Sequence, residues 1–309
     1  MKTTTFLTSC SLALVAAFGV SSTALAQNAG APASDFGKAD AEVTEGTEWK
    51  AQAQGGLILT TGNSRSTSLS FGAHASMKSG PNKLSLDGTV AFAESSFRSF
   101  NDSNGNGTID SDAEIQNNTQ TITELYAAKA RYDRFLTDND SLYLAGLIQR
   151  NEPAGQKLLG SGQAGYSRRI FKDAMHELVG ELGYDFSYLE FVTGGDITAH
   201  SARAFLGYEG ALSEDTGISL WVEYLGNLNS YSTPVEDADF LKDSRVNGNA
   251  SISTKLSDAI SFRFSFTARY DDIPAPAAAI AGADVTAGQV IAAEKLDTLT
   301  EATLIVNLL

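Results

Sequence analysis

Between residues 260 and 271 the chain changes character at every step. Ile260, Phe262, Phe264, Phe266, Ala268 and Tyr270 alternate with Ser261, Arg263, Ser265, Thr267, Arg269 and Asp271. A period of two over this length means an extended strand with one apolar and one polar face, because successive strand side chains point to opposite sides. The pattern recurs at 49–60, 66–78, 83–95, 121–135, 141–150, 158–171, 176–188, 200–212, 217–228, 244–256, 259–271 and 296–309, giving twelve candidate strands. The segment 141–150 is ambiguous, since Leu142 and Leu144 oppose Tyr143 and Leu147, and it leaves the count open by about two strands.

The six prolines, at 32, 81, 153, 234, 274 and 276, fall in the leader or in expected connections, so no strand loses a ladder donor. Short connections (79–82, 137–140, 172–175, 213–216, 257–258) alternate with long ones (97–120, 229–243, 272–295). With the leader on the short-turn side, long and short connections emerge at opposite ends of the strands, the habit of bacterial outer-membrane barrels.

The first 26 residues carry a second signal. Lys2 provides a positive start, 12–20 is an apolar or glycine run, and Ala24-Leu25-Ala26 is a small-x-small cleavage site ahead of Gln27. Residues 1–26 are therefore expected to be a signal peptide, 27–47 a flexible leader and 48–309 the barrel domain. Cys10, the one cysteine, lies inside the signal, and the apolar run mostly follows it, whereas a lipoprotein box requires the run first. The exported chain then has no disulfide and no thiolate site. A formal charge of -15, without any basic stripe, argues against nucleic acid as a partner.

Alternation alone does not separate a membrane barrel from a soluble one, because a soluble barrel turns the same apolar residues inward. Length and aromatic placement do. Strands of about 11 to 14 residues exceed the globular norm and suffice for a tilted bilayer crossing. On the apolar face Tyr188, Tyr224 and Tyr270 stand toward the long loops and Tyr132, Tyr166 and Tyr208 toward the short turns, forming two girdles. The expected fold is all-β, a transmembrane antiparallel up-and-down barrel of about 12 strands. Its expected place is the outer membrane of a Gram-negative cell, as a monomer with both termini periplasmic, in contact with outer-membrane lipid and inserted by the barrel assembly machinery.

The chain resembles the salt-induced outer-membrane protein family, domain of unknown function 481, over most of 49–309. The resemblance rests on the tryptophan strand followed by Gly62-Asn63-Ser64, on Arg131-Tyr132-Asp133-Arg134-Phe135, on Leu206-Gly207-Tyr208-Glu209, and on Arg269-Tyr270-Asp271-Asp272-Ile273-Pro274. It implies a single outer-membrane barrel linked to salt or osmotic stress, with no active site to carry over. Two departures are the inserted stretch 101–114 and an end at Leu308-Leu309 without a terminal aromatic.

Few residues suggest chemistry. Asp102, Asn104, Asn106 and Asp110, with Gly107 at the sixth position, match the start of a calcium loop, but Ala113 stands where the closing glutamate belongs. Calcium and an ordinary solvated loop both stay open. His74, His176 and His200 form no paired metal motif and read as solvated or lumen-lining. The polar face carries Glu177, Glu181, Asp185, Arg203, Glu209, Glu223, Arg245, Arg263, Arg269 and Glu301 as expected lumen-lining residues. These read either as a selectivity lining or as an interlocking plug in a narrow bore. The functional expectation is a non-enzymatic barrel for envelope structure or small-solute passage, with no cofactor unless calcium. An outer-membrane enzyme and a soluble periplasmic barrel are the alternatives.

Overall fold

A computed structural model of the chain describes residues 46–60, 65–100, 115–275 and 294–307. Twelve long strands close into one barrel: β1 (Thr47–Thr60), β2 (Arg65–Ser79), β3 (Asn82–Phe100), β4 (Ile115–Phe135), β5 (Asp140–Asn151), β6 (Gln156–Lys172), β7 (His176–Phe191), β8 (Asp196–Ala211), β9 (Thr216–Asn227), β12 (Ser244–Lys255), β13 (Ile260–Asp271) and β14 (Leu296–Asn307). The two-residue strands β10 (Tyr231–Ser232) and β11 (Asp237–Ala238) form a separate hairpin between β9 and β12. Every barrel strand pairs antiparallel with its sequence neighbour in the wall, and β1 returns to β14. Among the described residues no helix is long and apolar enough to cross a membrane.

The twelve strands follow the alternation, and the clearest departure lies at one long connection. Segment 97–120 was expected to be irregular, yet β3 runs to Phe100 and β4 starts at Ile115, with Phe100 opposite Ile115. Its outermost rungs pair Phe97 with Asn118, Arg98 with Asn117, Ser99 with Gln116 and Phe100 with Ile115, so no regular apolar alternation marks them as strand in the sequence. Tight turns close the other end. Gly80, at φ 53°, takes the left-handed conformation that the turn before Pro81 requires. At the opposite end from Gly80, between β5 and β6, a single 3-10 turn (Glu152–Ala154) ends at Gly155, also left-handed at φ 74°.

The two faces of the wall are inverted relative to a water-soluble barrel. On β13, Phe262, Phe264 and Phe266 point outward at 38%, 46% and 46% exposure, whereas Ser265 and Thr267 face the interior at 7% and 8%. Leu142 and Leu144 on β5, Leu182 on β7 and Leu206 on β8 also face out, while Asp133, Glu181, Asp185 and Arg203 are buried inside. A barrel in water would bury the leucines and phenylalanines and expose the charges. An apolar belt around a polar interior fits hydrocarbon outside.

The girdle tyrosines make this boundary specific. Near the short turns, Tyr132 donates its hydroxyl to Asn82 Oδ1 at 2.7 Å, Tyr166 donates to Asp140, and Tyr208 shares a hydrogen bond with His176 Nδ1 at 2.7 Å. In each case the partner opens the preceding strand of the wall. At the far end Tyr270 donates to Asp272 Oδ1 at 2.6 Å and Tyr224 meets Ser244 Oγ at 3.1 Å. Each ring keeps an apolar body against the wall and a hydroxyl satisfied at the rim.

Candidate functional site

The interior is filled unevenly, and the dense part lies between β4 and β9. Arg131 on β4 reaches Asp133 on its own strand (Nη2 to Oδ1, 2.7 Å) and Glu181 on β7 (Nη2 to Oε1, 2.7 Å). The other oxygen of Glu181 accepts from Arg203 Nη1 on β8 at 2.7 Å, and Arg203 Nε donates to Glu223 Oε1 on β9 at 2.6 Å. Asn247 on β12 donates to the second oxygen of Glu223 at 3.1 Å. The chain Asp133–Arg131–Glu181–Arg203–Glu223 thus alternates in sign across the lumen. Glu181 receives bonds from two guanidinium groups, and its side chain is 1% exposed. A charge so far from water persists only with partners of this kind.

Aromatic rings fill the space around these charges. The Arg131 guanidinium lies 4.3 Å from the centre of the Tyr143 ring, and the Tyr143 hydroxyl accepts from Arg203 Nη1 at 2.8 Å. Arg203 also lies over Phe205 at 5.2 Å, and Phe205 stacks on Trp221 with ring centres 6.2 Å apart. Beside this plug a cavity of about 40 Å³ is lined by Lys129, Ser161, Gln163, Trp221, Glu223, Asn247 and Arg269. The opposite wall mixes serine and glutamine, among them Gln54, Ser70, Ser251 and Ser253, with charged side chains such as the His74–Asp87 pair, Arg263 and Glu301.

Among the residues expected to line the lumen, Glu181, Arg203, Glu209, Glu223, Arg245 and Arg263 are those that an interlocking plug would join. The structure brings Glu181, Arg203 and Glu223 together and leaves the other three outside that cluster. Glu209 sits opposite Glu177 in the β7–β8 ladder, near the short turns, where Glu177 accepts from Arg169 Nε at 3.0 Å. Arg245 opens β12 at the other mouth, donating to Ser201 Oγ at 3.2 Å. Arg263 lies on the lumen face of β13, opposite Thr303 in the ladder. Asp185 accepts from Ser161 Oγ at 2.6 Å and Gln163 Nε2 at 3.0 Å. Arg269 pairs in register with Asp297, and Glu301 with Ser265. Strand stagger decides these neighbours, and alternation carries no stagger.

The sequence reading omitted Lys129, Arg131, Asp133 and Tyr143 from the lumen. The first three share one parity, alternating with the girdle residue Tyr132, and that spacing is a signal that could have found them. Tyr143 gave none, because an aromatic aimed at the lumen looks like an aromatic aimed at lipid. Of the histidines, His74 faces the lumen and pairs with Asp87 Oδ1 at 2.8 Å. His176 and His200 instead lie on the outer face, His176 stacked on Tyr208 and His200 edge-on to Phe186, because their parity is that of the apolar side.

The mouth on the side of the long connections has its own closure. Phe191, Leu159 and Ala199 are buried there, 2%, 3% and 3% exposed. The connection through β10 and β11 is held by Asn227, whose Nδ2 donates to Asn229 and Asp239 carbonyls at 2.9 and 2.7 Å and whose Oδ1 accepts from the Asp243 amide at 2.9 Å. Tyr231 donates to Asp243 beneath that connection, and burial together with the Asp243 carboxylate pushes its hydroxyl pKa up. Asp102, Asn104, Asn106 and Asp110 lie outside the described residues. Among the described residues no group of three or more His, Cys, Asp or Glu could hold a metal ion.

No curated protein matches this sequence significantly. Among solved structures, the NanC porin is similar over 84% of this chain and 97% of its own, at 10% identity and a TM-score of 0.40. The translocator domain of autotransporter NalP from Neisseria meningitidis covers 84% of this chain and 87% of its own, at 11% identity and a TM-score of 0.40. The anion-selective porin from Comamonas acidovorans covers 85% and 98%, at 9% identity and a TM-score of 0.32. A family model described as "protein of unknown function, DUF481" matches residues 53–307, nearly the whole barrel, and the chain belongs to that family.

Proposed function

We propose that the protein is a monomeric outer-membrane barrel of a Gram-negative cell that admits only small solutes and ions, with both termini in the periplasm. The observation that carries this reading is the alternating ion-pair chain from Asp133 to Glu223, which links β4, β7, β8 and β9 inside the barrel. Charges already committed to one another leave little free field to draw a large solute through. The remaining wall interleaves serine and glutamine with charged residues such as the His74–Asp87 pair and offers a narrow polar path. The excess of acids over bases in the whole chain biases the mouths toward cations, most strongly at low ionic strength. The proposed role is non-catalytic, and it extends to envelope integrity under salt or osmotic stress. Insertion by the barrel assembly machinery and direct contact with outer-membrane lipid belong to the same reading.

Planar-bilayer recording tests it. The wild-type protein should show a small, cation-selective conductance, and Arg131→Ala together with Arg203→Ala should enlarge it and raise the cation preference by freeing Glu181. A large nonselective or anion-selective wild-type channel would end this reading in favour of a general porin.

A further inference from the structure

The connection 228–243 lies over the mouth and is tied down at its end by Asp243. Tyr231 on this connection shares a cavity of about 30 Å³ with Leu159 of β6, Phe191 of β7, Ala199 of β8 and Asp271 of β13, and its hydroxyl donates to Asp243. Asp243 is 4% exposed. Its Oδ1 accepts from the Ile273 amide at 3.3 Å, and Asp271 Oδ1 accepts from the same amide at 3.0 Å. The two carboxyl groups are also in hydrogen-bond contact with each other. Ionised carboxylates only accept, so that contact exists while the pair holds a proton.

The surroundings balance one charge of the pair and leave the second. Arg245 on β12, opposite Asp271 in the ladder, offsets the first. Asp185 on β7 is a further acid near Arg245 and is occupied by Ser161 and Gln163. At the rim Lys295 faces Asp272 at 3.8 Å, and residues 276–293 contain no Lys, Arg or His. Two carboxyls in contact give up their second proton at a higher pH than a lone one, so the link is complete at low pH and is lost as pH rises. Arg245 Nε is buried and has no partner among the described residues, so it offers the ionised Asp271 a donor. Asp271 is held in the ladder with Arg245, whereas Asp243 lies just outside it. Repulsion between the two therefore displaces Asp243 and, through its bond to Tyr231, the connection.

We propose that Asp243 and Asp271 form a proton-operated latch: sharing one proton, they hold the 228–243 connection over the mouth, and losing it they release the connection and admit ions. The latch regulates the passage proposed above and rests on that reading for its consequence.

The full-length protein in phosphatidylcholine, whose headgroup does not titrate in this range, tests it from about pH 5 to about pH 8. Planar-bilayer conductance should rise several-fold across the range, and hydrogen exchange of 228–243, corrected for the intrinsic pH dependence of exchange, should rise with it. Asp271→Asn keeps the shape and donates a permanent hydrogen bond to Asp243, so both readouts should stay at their low-pH values. Arg245→Gln removes the offsetting charge and should move both rises to higher pH, and an unshifted midpoint overturns the latch without reference to the first variant. A small conductance and an exchange rate that are both flat with pH would end the latch and leave the passage reading standing. Equal rises in wild type and Asp271→Asn would mean that another group titrates, and a rise in conductance alone would mean that the pair acts only through its field; either result defeats the inference. Exchange that rises as expected, with no conductance at any pH, would uphold the latch and end the passage reading.

Discussion

Tyr143 and Arg203 stand three strands apart on one ladder row and meet above two glycines. Tyr143 pairs with Gly165, Gly165 with Gly183, and Gly183 with Arg203, and the tyrosine hydroxyl accepts from Arg203 Nη1 at 2.8 Å. The missing side chains at Gly165 and Gly183 are the space in which the Tyr143 ring lies. A Cβ on Gly165 would come within 2.6 Å of the Tyr143 hydroxyl, and one on Gly183 within 2.7 Å of the Ala164 carbonyl.

Gly183→Ala should therefore destabilise the barrel by about 1 to 3 kcal/mol, the usual cost of overfilling a packed interior. Gly162→Ala, where a new Cβ meets nothing within 4 Å, should leave stability nearly unchanged. Urea unfolding in lipid vesicles, followed by tryptophan fluorescence, measures both.

Glu181 is the hub of the ion-pair chain, and its loss leaves two guanidinium groups without their shared carboxylate. Glu181→Ala should cost about 3 to 5 kcal/mol, as for other buried pairs broken on one side. Glu190→Ala, which breaks the exposed Lys157–Glu190 pair at 56% and 31% exposure, should cost less than about 1 kcal/mol. The same unfolding assay ranks the two, and equal costs would show that water reaches the lumen cluster freely.

Adjacent residues of β13 should respond oppositely to a charge. Phe264→Arg places a guanidinium on the outer belt and should cost about 2 to 4 kcal/mol near the midplane, whereas Ser265→Arg faces the lumen and should cost less. Comparing the two variants in vesicles tests the direction of the wall, and the reverse order would mean that the barrel is inside out.

The short turn after β6 carries an acid-sensitive lock. Asp173 Oδ1 accepts from the Met175 amide at 2.8 Å and the His176 amide at 2.7 Å. The Met175 bond, with His176 adding to it, holds the carboxyl below the ordinary aspartate value of 3.8. A depressed folded pKa means that the contribution is present above the unfolded value and disappears as pH falls through the folded one. A carboxyl NMR titration should place the Asp173 midpoint below the ordinary aspartate value of 3.8, and Asp173→Asn should flatten the acid dependence of this turn's amide exchange.

What the sequence determined by itself was the wall. Period two is a property of the backbone, so Phe264 and Ser265 had to face opposite ways wherever the strand lay, and tyrosines near strand ends marked the two rims before any neighbour was known. Strand length and the alternation of short and long connections pointed in the same way to an antiparallel barrel of about twelve strands, with the ambiguous segment 141–150 leaving the count open by about two. The tertiary structure alone decided which inward residues meet. Glu181 lies closer in sequence to Glu177 and Asp185 than to Arg131, yet the stagger of β4, β7 and β8 brings Arg131 and Arg203 to it. Tyr143 shows the limit most sharply, because its ring suits lipid or lumen equally well, and only Gly165 and Gly183 on the neighbouring strands make room for it inside. The register of β1 against β14 was equally invisible, since it depends on how far the closing sheet shears and no local pattern encodes that offset.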